Sequence, residues 1–263
     1  MKWVIQQDRS NDKADEKLYK IFRNLVVHKL QIFNYKPFMN LNDIKDEIFK
    51  TNESILCLGS IPFISKIQRI PDLIPGSYCN FEAFECKNYY PILGKLMLNS
   101  DYYITTWKKL LKNRFEGVRF IRPNSGKKIF TGTITDHDHL TQDVGLSISN
   151  IQNNTLVFVT WVKEIEFEWR FFVSSKGDIL SSSLYHKDGK LKIEKGCNDH
   201  NAVELASKVC NNQKLNELIK DPVYVVDICK DEFCEYKVVE LNSFSCSGFY
   251  DCDLRPIVDY INK

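Results

Sequence analysis

The residues with most chemical potential lie near the end of the chain. In Val238-Val239-Glu240-Leu241-Asn242, strand alternation puts Glu240 and Asn242 on one face and Val239 and Leu241 on the other. The preceding run, Val223 to Ile228, carries Asp227 near its end. If the two runs pair as a hairpin, one face offers two carboxylates and an amide oxygen. Hard divalent cations take such ligands, and magnesium takes only a few from protein and the rest from phosphates and water. The bland alternative is a turn aspartate and a solvated glutamate, because exposed acids on half-buried strands are common.

Two further groups carry charge in a useful pattern. Phe120-Ile121-Arg122-Pro123 precedes Lys127-Lys128-Ile129-Phe130-Thr131-Gly132. An arginine at a strand end beside a turn with lysines can hold phosphate oxygens by charge-assisted bonds, or it is simply a solvated basic turn. In Glu164-Ile165-Glu166-Phe167-Glu168-Trp169-Arg170-Phe171, Glu168 and Arg170 share one face while Trp169 and Phe171 share the other. That pair either lines a cleft or is a surface ion pair worth less than about 1 kcal/mol. A phosphate-cradling GxxxxGK loop followed by Ser or Thr does not occur, nor does GxGxxG.

The elements that must position these groups alternate between strand and helix patterns, which predicts a mixed α/β, or α+β, protein. Trp3 to Gln6 reads as a strand and Lys13 to Leu30 as a helix. Ile55 to Gly59 reads as a buried strand and Pro62 to Ile70 as a helix. A second region starts near Tyr102, with a short helix over Thr105 to Leu111. Strands follow at Val118 to Arg122 and Lys128 to Ile134, joined by the turn Pro123-Asn124-Ser125-Gly126. Further strands are expected at Leu156 to Trp161 and Phe167 to Ser174, then at Ile179 to Tyr185 after the turn Lys176-Gly177-Asp178. Asn201 to Val209 reads as a helix. The two late strands are Val223 to Ile228 and Tyr236 to Asn242, and a helix over Leu254 to Ile261 closes the chain. The boundaries expected are an α/β unit over 1–100 and a second domain over 101–263.

Composition narrows the function classes. A chain of 263 residues with 43% hydrophobic residues can bury a real core. A formal net charge of +2 gives no field that calls for nucleic acid or membrane as partner, and no apolar run is long enough to span a bilayer. Met1 to Ile5 runs directly into polar Gln6-Gln7-Asp8-Arg9, so no secretory signal is read and a cytoplasmic location is expected. The nine cysteines are then expected to be reduced, and they lack paired zinc spacing. Cys246 and Cys252 read as small hydrophobes, and His137 and His139 as part of a loop or helix start with Asp136 or Asp138 as cap.

Taken in order, Arg122-Pro123…Lys128-x-Phe130-x-Gly132, Glu168-Trp169-Arg170-Phe171 and Val239-Glu240-Leu241-Asn242-Ser243-Phe244…Ser247-Gly248-Phe249-Tyr250…Asp253-Leu254 resemble the ATP-grasp superfamily. They are most similar to a bacterial and phage-associated clade marked by one arginine and two lysines. The resemblance covers residues 100 to 263 well and the first hundred only in outline. It implies two lobes, 101–163 and 164–263, that clasp ATP after an N-terminal α/β unit. It also implies an ATP- and magnesium-dependent carboxylate–amine ligase working through an acyl-phosphate, with a small-molecule or peptide carboxylate and amine as substrates. Arg122 and Lys128 are then implied at the phosphates, with Trp161 to Glu164 as the adenine-side hinge and Glu164 or Glu168 near the ribose. Arg170 would hold the γ-phosphate or acyl-phosphate, and Asp227, Glu240 and Asn242 the magnesium. Ser243 to Asp253 would border the acceptor. Catalysis would fall to Arg170 and Lys128. The clade's second lysine has four candidates: Lys108, Lys109, Lys127 and Lys187. A phosphotransferase on the same clamp and a non-catalytic nucleotide-binding or assembly protein are the rival readings. The oligomeric state is open.

Overall fold

The computed structural model describes residues 1–7, 12–26, 29–48, 53–145, 149 and 151–263. They form the mixed helix-and-strand fold expected, built on three sheets. The first is parallel, in the order β2(Leu30–Phe33), β1(Lys2–Gln6), β3(Ile55–Leu58), β4(Pro75–Gly76). Its helices are α1(Asp12–Leu25), α2(Leu41–Ile48) and α3(Ile61–Ile67). The helix expected over Lys13 to Leu30 therefore stops at Leu25, and positions 27 and 28 of that reading lie outside the described residues. Leu30 instead opens a strand, because pairing with Trp3 to Gln6 buries Phe33 in the core; local helical spacing yields to tertiary pairing.

The chain then forms α4(Cys86–Leu93) and enters an antiparallel sheet ordered β5(Tyr103–Thr106), β8(Leu156–Trp161), β6(Arg119–Pro123), β7(Thr133–Thr135). The helix expected from Thr105 begins two residues later as α5(Trp107–Lys112), since Thr106 caps it by accepting from Lys109 N. The strand expected over Lys128 to Ile134 is reduced to β7. Lys128 sits at φ +48°, outside the extended region, so residues 128–132 leave the sheet and form a loop. Here α6(Leu140–Val144) joins α5 in covering one sheet face through Trp107, Leu110, Ile121, Leu140 and Val159.

The third sheet is antiparallel, ordered β11(Lys190–Lys195), β10(Ile179–Lys187), β9(Ile165–Ser174), β12(Val223–Asp231), β13(Tyr236–Ser243). One face packs on α4, α7(His200–Cys210) and α8(Gln213–Ile219) through Tyr90, Phe171, Val226 and Leu241. The other carries Phe172 and Val225 against the N-terminal sheet, α1 and α9(Leu254–Ile261), where Trp3, Phe244 and Phe249 meet. Full burial of each such large side chain contributes about 1.5–3 kcal/mol. The helix α9 starts where Asp253 accepts from Arg255 N. Among the described residues, no helix is long and apolar enough to cross a membrane.

Candidate active site

Strand register assembles the site. Ser183, Arg170, Asp227 and Glu240 are direct cross-strand partners along β10, β9, β12 and β13, so three charged side chains lie in one row. Arg170 Nε donates to Asp227 Oδ1 at 2.8 Å and Nη2 to Oδ2 at 2.7 Å, while Nη1 donates to the Gly248 carbonyl at 3.1 Å. Asp227 is fully buried and Arg170 only 7% exposed. Burial acts to raise the Asp227 carboxyl, and the Arg170 guanidinium opposes it; the fork-on-fork geometry is that of an ionised pair. Asn242 Nδ2 donates to both Asp227 Oδ2 (3.0 Å) and Glu240 Oε1 (2.8 Å), so the three expected ligands form one cluster.

Two bulges tune this row. Asp227 pairs with Glu240 but the next residue, Ile228, pairs with Val238, leaving Val239 as an extra residue. The alternation expected for β13 is therefore broken. Val238 and Leu241 both enter the core, whereas Val239 joins Glu240 at the cavity below. On β10, Leu184 pairs with Trp169 and His186 with Glu168, leaving Tyr185 as the extra residue. Its hydroxyl donates to Glu168, and its ring stacks on Tyr250 at 4.6 Å. The Arg170 guanidinium lies 5.4 Å and 5.0 Å from those two ring centroids. Burial, then the negative charge of Asp227, pushes the Glu168 carboxyl up to about 8. Bulges commonly re-aim side chains beside active sites in this way.

The opposing wall comes from the second sheet. Arg122 Nη1 lies 2.9 Å from Glu240 Oε2, and Lys128 Nζ lies 3.3 Å from Oε1. Burial raises the Glu240 carboxyl, but Arg122 and then Lys128 outweigh it and hold the group well below the usual carboxylate range. A cavity of about 430 Å³ opens between the sheets, lined among others by Phe120, Arg122, Lys128, Lys163, Val239 and Glu240. A smaller pocket of about 80 Å³ adjoins it, lined by Arg170, Asn242, Ser243, Cys246 and Gly248 among others. Arg122 and Lys128 border both spaces.

The structure thus brings Arg122, Lys128, Arg170, Asp227, Glu240 and Asn242 together. Glu168 sits one residue pair along the same face, bonded to Tyr185, and borders neither space. Glu164 is exposed between Lys163 and Ile165, which do line the larger cavity. Of the lysine candidates, Lys127 lies over the Phe81 ring and Lys187 over the Phe167 ring. Sequence reasoning missed Lys163, which pairs with Asp101 at 2.8 Å, and the apolar lining from Leu98, Phe120 and Val162. Alternating polarity around β6 could have pointed to Phe120, which shares a face with Arg122. His137 and His139 stand apart from the site: Asp136 Oδ1 accepts from the His139 and Asp138 backbone N–H groups, as a cap would.

The donor set fits magnesium better than a self-sufficient metal site. Among the described residues no three His, Cys, Asp or Glu side chains cluster as a metal site. Two carboxylates and one amide suit an ion that completes its shell from phosphates and water. To serve as a ligand, Asn242 would turn its amide so that Oδ1 replaces Nδ2. The two guanidinium groups and Lys128 are cations of the kind that pair with phosphate oxygens.

A strand-built acidic–basic row thus faces a cavity between two antiparallel sheets. The model of the ATP-grasp domain, R2K clade family 2, matches residues 102–260, more than half of the chain, and the protein belongs to that family. Solved structures share the fold at low identity. The D-alanine–D-alanine ligase from Bacillus anthracis complexed with ATP is 14% identical with a TM-score of 0.60, covering 99% of this chain and 91% of that one. The D-cycloserine synthetase DcsG is 10% identical with a TM-score of 0.61, over 99% and 98%. The ATP-grasp ligase PsnB, complexed with a phosphomimetic variant of its minimal precursor, Mg and ADP, is 11% identical with a TM-score of 0.59, over 99% and 97%. A sequence comparison with curated proteins found no match.

Proposed function

We propose that this protein is an ATP- and magnesium-dependent carboxylate–amine ligase, clasping nucleotide between lobes at 101–163 and 164–263. The observation that carries this reading is the pair of cations, Arg122 and Lys128, bordering both the large cavity and the small pocket. A phosphoryl group passed from one space to the other stays within their reach. In this reading the adenosine occupies the larger cavity against Phe120 and Val162, and the acceptor carboxylate enters the smaller one. The similarity to proteins named as ligases and a synthetase, one solved with ATP and one with Mg and ADP, supports it.

The residues divide the work. Asp227, Glu240 and Asn242 would hold the magnesium, which supplies charge neutralisation across the phosphates when bound. Arg122 and Lys128 orient the β- and γ-phosphates. Three of the five Arg170 N–H bonds are engaged by Asp227 and Gly248, leaving two for a developing acyl-phosphate. Preorganised donors of this kind stabilise transferring phosphoryl charge without reorganisation. The acceptor carboxylate attacks the γ-phosphorus and ADP leaves. The amine then attacks the acyl carbon and inorganic phosphate leaves. Phe81, Phe84 and Ile61 wall the small pocket and limit access of water to the activated acyl group.

The test is ADP release with paired carboxylates and amines, scored for an amide product and free phosphate. Wild type should form ADP only with magnesium and both substrates, and Glu240→Gln should lose most of that turnover. Undiminished magnesium-dependent turnover in Glu240→Gln would overturn the metal assignment. Phosphate retained on the acceptor would replace the ligase reading with a phosphotransferase.

A further inference from the structure

We propose that Cys79 and Cys246 form a redox modification site, a reversible disulfide at the rim of the small pocket. Their Sγ atoms lie 3.9 Å apart although the residues are 167 positions apart in sequence. The two segments are already held side by side. Ser245 N donates to the Tyr78 carbonyl at 3.1 Å, and Tyr78 N donates to Ser245 Oγ at 2.9 Å. Adjacent residues on segments bonded in this way need only a local side-chain shift to close a bond of about 2.05 Å.

The two thiols differ in character. Contact with Cys79, reinforced by Ser243 and by the charge of Lys128, outweighs burial and lowers the Cys246 thiol, while the same contact and burial raise Cys79. With Cys246 partly accessible and Cys79 buried, Cys246 is the attacking thiol and Cys79 the resolving one. Cys246 also borders the small pocket. With a hydroperoxide as oxidant, Cys246 Sγ attacks the terminal oxygen, the O–O bond breaks, and a sulfenic acid forms as water or alcohol leaves. Cys79 Sγ then attacks Cys246 Sγ, the S–O bond breaks, and water leaves with the Cys79 proton. Closure draws Cys246 towards the N-terminal unit, and with it Ser247 and Gly248, whose carbonyl holds Arg170. The resulting effect on the acceptor rests on the proposed function; the bond itself does not.

The experiment treats the full, reduced protein with hydrogen peroxide, blocks free thiols and maps peptides without reduction. A linked Cys79–Cys246 peptide, removed by dithiothreitol, is expected. Cys79→Ala should abolish it and leave a Cys246 sulfenic acid trapped by dimedone. Absence of the linked peptide when exposed Cys234 is already oxidised would overturn the site. For an acceptor mixture that supports ADP release, the bridged protein should turn over at least tenfold more slowly. Equal rates would overturn the gating, and no turnover in either state would count against the ligase reading while leaving the mapped bridge standing.

Discussion

Replacing Asp227 by Asn isolates the energetic cost of the charged row. Asp227 is fully buried, accepts two bonds from Arg170 and one from Asn242, and is the principal anion facing that guanidinium. The amide keeps the shape but leaves one acceptor oxygen and turns a second contact into a donor facing a donor. Removing one partner of a buried pair costs about 3–5 kcal/mol, because the remaining charge stays desolvated. With a urea m-value of about 3 kcal/mol per M, the midpoint should fall by roughly 1–1.7 M. All variants should be compared at one pH, because removing the Asp227 charge also removes one of the causes that raises the Glu168 carboxyl. The informative partner is Arg170→Met with Asp227→Leu, which removes both charges and fills the space. It should recover to within about 1 kcal/mol of wild type while showing no ATP turnover. A cost below about 1 kcal/mol for Asp227→Asn, or a double variant no more stable than the single one, would refute the claim that the pair is a desolvated, mutually dependent unit.

Other outcomes follow from single contacts. Glu168 moves from its ordinary 4.5 up to about 8, so the native state keeps a proton that the unfolded chain releases. Stability should therefore fall as pH rises from about 4.5 through about 8, and Glu168→Gln should flatten that slope in urea midpoints measured at pH 5 and 8.5. Lys128→Gly relieves a side chain held at φ +48° and should leave thermal stability within about 1 kcal/mol of wild type. Saturating ATP with magnesium at about 100 times Kd should stabilise wild type by about 2.7 kcal/mol, and Lys128→Gly should show a clearly smaller shift at the same concentration. In Gly132→Ala the new Cβ would stand 2.7 Å from Phe120 Cζ, so calorimetric titration should find weaker ATP binding with little change in the unfolding midpoint.

The features legible in the sequence were those written into local pattern. The closing helix matched its expected bounds because Asp253 supplies a cap and Leu254, Ile257, Val258 and Ile261 keep helical spacing. Glu168 and Arg170 fell on one face because β9 runs without interruption through them. The remainder depends on pairing across long separations. Lys163 and Asp101 line up only once β8 is in place, and the strand at Leu30 exists because β1 is there to receive it. Lys128 was read as strand because its left-handed backbone is set by the loop over the cavity, where a non-glycine residue gives no compositional warning. The Cys79–Cys246 approach had no local trace at all.

The extra residue at Val239 has a consequence for how this strand can change. Upstream of it the odd-even frame serves the core through Val238, and downstream the opposite frame serves it through Leu241. The strand is thus two rulers joined out of phase, and each half can be edited without disturbing the other. Substitutions at Val238 act on core packing, and those at Glu240 or Asn242 on the ion pairs and hydrogen bonds of the cleft. Deleting Val239 would put the halves back in phase, with Val238 and Leu241 still in the core and Glu240 and Asn242 still on the opposite face. Straightening the strand with Val239 kept would instead turn either Val238 out of the core or Glu240 and Asn242 off their face. Any alignment or design that smooths β13 into perfect alternation would make that same error.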